Sequence, residues 1–469
     1  MAESVTGLTI MRFSPGSPIQ LKRLYAPTIP LRKSQLNTAA SPLPASTPTK
    51  QKSISIAATV LKRFKGISDT GVLPPDTMGA VGLAHFVTVV NGRLTVSDKV
   101  TGAQLSSSTL DFFWQPTGVI GPGTEAFDPK ILYDRLSNRF YIVSLAGFSA
   151  PNSWLLVGVS QPGNPLSWVL RAIDADKFGS TQTNSWADYP SIGIDNQRLY
   201  VTANMFFNTD EFDAVKVWIF NKTSLFTPGS ITWNEFYNPP GAEFTTQPTQ
   251  VFTNAVTPQY LVSQLSLNKL QLARITFPSG VPVWTKLQVI TIAPLSSPFP
   301  PNAPQKGTSF LINTGDSRLL QAINRNGWIW TTHTVSSADG NRSEVAWYQL
   351  GPTRTTPVQQ GRVRNTVRSY YYPSLAVNSV NNVLIGFSGS SPNEFANAFF
   401  TSRLASDALG TTRPVIWLKN GLAPYELDRW GDYSATMNDP SDDTVFWTTQ
   451  EYTLAPDTWG TWWGAIRLP

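Results

Sequence analysis

Residues 429–452, RWGDYSATMNDPSDDTVFWTTQEY, set an acid, Asp432, just before a short alternating segment. A turn rich in Asp and Asn follows, and then a second segment of β-branched and aromatic residues. Alternation with period two on both sides of a turn reads as a pair of antiparallel strands. The same order of polar anchor, strand, turn and strand recurs along the chain. The anchors are Asp76 in PPDTMGAVG, Asp128 in FDPKILYD, Asp188 in ADYPSIGID, Gln247 in QPTQVF, Asp316 in GDSRLLQAI, Tyr372 in YYPSLAVN and Asp432 in GDYSATMND. Their separations are 52, 60, 59, 69, 56 and 60 residues. A period of that size marks propellers, solenoids or arrays.

Most repeats continue with a third strand (WLLVGVS, KVWIF, VAWYQL) and a fourth before the next anchor (WVLRAID, ITWNEFY, VIWLKN). Four antiparallel strands per repeat and seven repeats predict an all-β fold, a seven-bladed β-propeller of four-stranded blades, in which ring closure removes open sheet edges. The last repeat stops at Pro469, three strands into its blade. The strand-like segment SISIAATVLKRFKGI, residues 53–67, precedes the first anchor and is expected to complete the C-terminal blade. The propeller is therefore expected to span 53–469, preceded by a disordered, basic, Ser/Thr/Pro-rich tail over 1–52.

The charge is unevenly placed. Residues 1–66 hold ten basic residues against the single acid Glu3, leaving 26 basic and 29 acidic residues for the remainder, a net of −3. The body thus carries no basic stripe for phosphate contacts, and no specific nucleic-acid partner is expected. Zero cysteines exclude disulfides, thiolate catalysis and Cys-ligated metals, and two histidines leave little for a multi-His site. No apolar run reaches the roughly 18 residues that span a bilayer. The N-terminus lacks a charged segment followed by an apolar one, so no standard secretory signal is seen. Sialidase-type SxDxGxxW boxes, Trp-Asp repeat endings, kelch double glycines, phosphate loops and HExxH helices are likewise missing from the sequence.

WADYPSIGID, GFSGSSPNEFANAFFTSRLASDALGT and RWGDYSATMNDPSDDTVFWTTQEY resemble a family of bacterial, mostly exported proteins that carry ADYP, RLASDPLGT and RWGDYSA-DP-D-FW-EY blocks. The resemblance covers roughly residues 70–465. It implies an extracellular or cell-surface setting and carries no assigned activity to transfer.

In a propeller the anchors enter the innermost strands, which places Asp76, Asp128, Asp188, Asp316 and Asp432 around one channel mouth. Converging carboxylates repel unless they are protonated, paired or bridged by a cation. Three roles are open: capping of their own turns, coordination of Ca²⁺ on the axis through oxygen ligands, or catalysis and ligand binding. For the last role, Asp432, Asp188 and Asp128 with His333, Arg429 and Tyr372 are the candidate catalytic residues. Asp76, Asp316, Arg368, Lys130, Trp186, Trp430, Glu451 and Asn204 are the candidate ligand contacts. Arg429 and Arg368 precede equivalent anchors and suit an anionic ligand or neutralisation of the ring. His333 lies in an apolar strand, where a structural hydrogen-bonding role competes with that of a general base. Trp186, Trp430 and Trp459 are the tryptophans expected to be exposed for stacking. These features predict a monomeric binding or scaffold propeller for a glycan, peptide or protein partner. The alternative is a glycoside hydrolase or polysaccharide lyase using the mouth carboxylates.

Overall fold

The computed structural model describes residues 10–12 and 58–469, residue 228 excepted. Among the described residues the chain runs through seven four-stranded antiparallel units, a β-propeller architecture. The first unit comprises Met78–Val81, His85–Val90, Arg93–Asp98 and Gln104–Thr109. The second comprises Ala126–Asp134, Arg139–Ala146, Trp154–Gln161 and Asn164–Asp174, and Ile10–Arg12 pairs with its outer edge. The third and fourth begin at Ser185–Ile194 and Gln247–Pro248, the fifth and sixth at Gln321–Arg325 and Ser369–Val377. Gln250–Val251 also bridges in parallel to Ile194 and to Ile323 and Asn324, tying the third and fifth units across the fourth.

The seventh unit is assembled from both ends of the described chain. Ala435–Asn438, Val445–Ala455 and Thr458–Arg467 form three strands, and Thr59–Ser68 pairs antiparallel to the last of them, with Phe64 opposite Trp463. This outermost strand alternates exposed and half-buried residues and carries Lys62, Arg63 and Lys65, charges that discourage further pairing at an edge. Residues 53–57 of the expected closing segment, and the expected disordered tail apart from residues 10–12, lie outside the described residues.

Inner strands are buried on both faces because each is packed between neighbouring units. Ala126–Asp134 and Ser369–Val377 contain no exposed residue. The contact between the seventh and first units is aromatic. Phe64 stacks on Phe86 at 5.7 Å, Phe86 meets Trp463 at 5.1 Å, and Trp463 Nε1 donates to Thr88 Oγ1 at 2.8 Å. Gly79 permits this approach, since a Cβ there would lie 2.4 Å from the Trp463 ring. On the far face Lys99 pairs with Asp439 at 2.8 Å across the same seam, and Lys222 pairs with Asp134 at 2.6 Å across the second and third units. No helix among the described residues is long and apolar enough to cross a membrane.

Candidate functional site

The entry to three of the inner strands is built on a bulge. In the second, third and sixth units the register shifts between Phe127 and Lys130, Asp188 and Ser191, and Tyr371 and Ser374. The residue inside each bulge has positive φ: Asp128 at +51°, Tyr189 at +51° and Tyr372 at +49°. Such a conformation is uncommon for residues other than Gly and persists only when neighbours over-determine it. They do so here. Asn91 Oδ1 accepts the Asp128 N–H at 2.8 Å, and Thr334 Oγ1 accepts the Tyr372 N–H at 2.9 Å, in each case from the preceding unit. Asn204, an expected ligand contact, acts in the same way: its Oδ1 accepts from Thr245 N and its Nδ2 donates to Thr245 Oγ1, both within the wall.

The bulges gather the anchors into one buried cluster. Asp76 Oδ1 accepts the Asp432 N–H at 2.7 Å, joining the first and seventh units, and its Oδ2 accepts from Asn91 Nδ2 at 2.8 Å. Glu451 Oε2 accepts the Gly431 N–H at 3.2 Å. Arg429 Nη2 donates to Asp432 Oδ2 at 2.9 Å. Arg318 grips Asp316 through Nε and Nη2, at 2.8 and 2.6 Å, while its Nη1 donates to no described group. Tyrosines fill the space between the charges. Tyr189 and Tyr433 meet edge to face at 5.7 Å, the Lys130 ammonium nitrogen lies 2.9 Å from the Tyr433 ring centre, and the Arg318 guanidinium lies 4.3 Å from that of Tyr189.

Burial dominates the electrostatics. It pushes Asp128 and Asp188 up to about 7, with Asp188 adding to the rise at Asp128 and Arg318 opposing the rise at Asp188. Burial, and then the neighbouring Asp432, hold Asp76 well above the usual carboxylate range; burial and Asp76 do the same for Glu451. The same desolvation pulls Lys130 down to about 7. The neighbouring Asp128 carboxyl adds to the rise at Asp76. Asp432 and Arg318 reach solvent most, at 24% and 14% side-chain exposure, so these two and Asp188 form the floor of the mouth.

Below this floor an axial channel of about 80 Å³ runs between the inner strands. Lys130, Ser191, Gln247, Gln321 and Ser434 line one end, and Arg135, Asp439 and Pro440 the other. Above it, residues 292–320 cross from the fourth unit toward the sixth and seventh. Gln305 exchanges two hydrogen bonds with the Tyr425 backbone, Lys306 N donates to Glu394 O, and Tyr372 Oη donates to Asn313 Oδ1 at 3.4 Å.

Several sequence expectations are corrected. Trp186, Trp430 and Trp459 are 1%, 1% and 0% exposed, so they are core residues and not stacking platforms. His333 is fully buried between the Ser317 carbonyl (Nδ1, 2.6 Å) and Tyr348 Oη (Nε2, 3.0 Å), and desolvation pushes its pKa down to about 3. Both ring nitrogens are engaged, which leaves neither for a substrate. Arg368 turns away to Glu394, at 2.5 and 2.7 Å, and lies over Trp417. Asp188 is also displaced by one residue from the expected symmetry, because Tyr189 and not Asp188 occupies the bulge position of Asp128. Among the described residues no group of three or more His, Asp or Glu side chains that could hold a metal ion is found. Arg318, Tyr189 and Tyr433 are the mouth residues the sequence reading passed over. Arg318 was signalled by its spacing of two from Asp316, and the tyrosines by their place in the ADYP and GDYS blocks.

No family model and no curated protein matches the chain. Solved structures similar to it include the Trypanosoma rangeli sialidase in complex with the inhibitor DANA, at 11% identity and a TM-score of 0.38, covering 74% of this chain and 55% of the sialidase. The WD40 domain of SCAP from fission yeast is similar at 10% identity and a TM-score of 0.38, covering 87% of this chain and 98% of that domain. The Dos1 propeller is similar at 8% identity and a TM-score of 0.39, with coverages of 86% and 94%. This chain therefore spans about half the length of the sialidase and nearly all of the two propeller structures.

Proposed function

We propose that the protein is a binding propeller whose channel mouth takes a hydroxyl-rich ligand, a glycan in the first instance. The observation that carries this reading is Arg318. It is fixed by two bonds to Asp316, lies over the Tyr189 ring and keeps Nη1 directed to no described group. A donor held in this way by its neighbours loses little further freedom on binding. Asp432 and Asp188 beside it supply acceptors, and alternating donors and acceptors match the hydroxyls of a sugar better than a uniformly charged ligand. A peptide or protein partner would use the same groups. An exported or surface setting accompanies this reading, supported by the cysteine-free composition and the family resemblance of the ADYP and RWGDYSA blocks, and the protein is taken to act as a monomer.

The test is a glycan array followed by titration calorimetry with the wild type, Arg318→Met and Asp432→Asn. Both variants are expected to weaken the best glycan by about tenfold or more, the loss for a charge-assisted hydrogen bond. Retention of peptides but no glycans would reassign the ligand, and full glycan affinity in Arg318→Met would end the proposal.

A second reading is favoured by one specific feature. Asp188, pushed up to about 7 by burial, carries a proton near neutrality beside Asp432 and Arg429, the pairing that glycosidic acid/base chemistry needs. A carbohydrate-active enzyme would release reducing ends from a polysaccharide panel, and Asp188→Asn would lower that rate by about 10²-fold or more. An inert wild type across the panel returns the choice to the binding reading.

A further inference from the structure

Lys130 is the one cation of the central cluster without a carboxylate in hydrogen-bonding contact among the described residues. Arg318 has Asp316 and Arg429 has Asp432, whereas Lys130 Nζ donates to no described group. It is 4% exposed and sits between two aromatic faces, 2.9 Å from the Tyr433 ring centre and 5.1 Å from that of Tyr189. Its strand also lines the axial channel. Lys130, Ile131, Leu132, Tyr133 and Arg135 all contribute to the wall, and Arg135 is 37% exposed at the other end. At about 3.3 Å per residue the channel therefore leads from Lys130 to the far face over roughly 17 Å. A buried ammonium without an acceptor is costly, and the group relieves that cost by giving up its proton. Desolvation acts in that direction against the charges of Asp128, Asp76 and Asp432, and the Arg318 charge adds to it.

We propose that Lys130 is a covalent binding site, taking a small neutral aldehyde from the axial channel as an imine. The site is independent of whatever ligand the mouth receives. The Nζ lone pair attacks the carbonyl carbon, and the C=O π pair moves to oxygen, which takes a proton from the Asp128 carboxyl. The nitrogen then loses a proton, relayed through the new hydroxyl of the adduct, to the Asp128 carboxylate. Elimination breaks the C–O bond and the oxygen leaves as water with that proton returned; the iminium then passes its remaining N–H proton through this water to the Asp128 carboxylate. Aldehyde and amine thus give imine and water, with no change of oxidation state. The acidic surroundings disfavour an anionic oxo acid, and about 80 Å³ admits a carbonyl compound of two or three carbons. Tyr189 and Tyr433 hold the amine in place and exclude bulk water from it. Lysines made nucleophilic by burial in this way are a general route to Schiff-base chemistry.

The full-length wild-type protein is treated with limiting glycolaldehyde and sodium cyanoborohydride, which reduces the imine to a stable secondary amine. Modification is located by peptide mass spectrometry as a function of time and pH. At pH 7 Lys130 is expected to be modified about tenfold faster than the exposed Lys269 and Lys286, because an ordinary exposed amine is almost wholly protonated there. Its rate is expected to level off just above pH 7. Modification of the exposed lysines with Lys130 untouched would overturn the proposal, as would a Lys130 rate that begins to rise only above pH 9.

Discussion

Asp188→Asn tests whether burial controls the mouth. In the folded protein Asp188 is held near 7, against an ordinary value of 3.8. Between those values the folded state keeps a proton that the unfolded state has released, so this residue's contribution is fully present below pH 3.8 and lost as pH rises toward 7. The loss amounts to about 4 kcal/mol once both values are passed, at 1.36 kcal/mol per pH unit. Asn preserves the shape and cannot ionise. It forfeits the attraction to Arg318, which returns part of the gain, so the variant is expected to be about 1–3 kcal/mol more stable than the wild type at pH 8 and within about 0.5 kcal/mol at pH 4. Urea unfolding of both proteins from pH 4 to pH 8 gives the difference directly. Working with the difference cancels groups that titrate identically in both proteins. His333 is one, and its sign is opposite: with a pKa lowered to about 3, its contribution is lost as pH falls below 6.5. A variant less stable than the wild type at pH 8, or a difference that does not change with pH, would refute the reasoning.

Removing residues 1–68 takes away the strand that pairs with Thr458–Arg467 and exposes the Phe86 and Trp463 seam, and it should lower the melting temperature by about 10 °C. Removing 1–50 should change it by less than about 2 °C, and scanning calorimetry of the two truncations distinguishes the outcomes. Gly386→Ala should destabilise by about 3 kcal/mol in chemical unfolding, because the new Cβ would lie 2.2 Å from Thr448 Oγ1 and 2.3 Å from Gln450 Nε2 inside the wall between the sixth and seventh units. His333→Gln should cost about 2 kcal/mol at pH 7, where the Ser317 carbonyl and Tyr348 Oη lose well-placed partners, and less at pH 4, where the wild type pays for keeping its imidazole neutral. A constant penalty across that range would contradict the buried, neutral assignment.

The period of the anchors was legible because each unit repeats one local solution of strand, turn and strand, and both alternation and turn chemistry are local properties. The closing strand of the last unit could be expected by counting strands, which needs no coordinates, and Thr59–Ser68 fills that place. Depth was less legible. Trp186 and Trp430 sit beside anchors in sequence, yet the units packed on either side bury them; an aromatic next to a loop looks the same in sequence whether its partner is solvent or another blade. Arg368 and Arg429 precede equivalent anchors, but Glu394, two strands later in its own unit, captures the first. Asp188 was aligned with Asp128 one residue out of register, since a bulge inserts a residue that no periodic pattern reveals.

Composition and repeat length alone determined that the chain is all-β, built from antiparallel units, free of thiol chemistry and marked by acids at the start of its inner strands. Only the tertiary structure decided which acids burial lifts above the usual carboxylate range, that Arg318 and Arg429 neutralise two of the acids, and that Lys130 lies between tyrosines without a carboxylate bonded to it. The reason is physical. Strand formation depends on neighbours a few residues away, whereas desolvation and charge coupling depend on groups brought within a few ångströms from units as far as 356 residues apart, as Asp76 and Asp432 are.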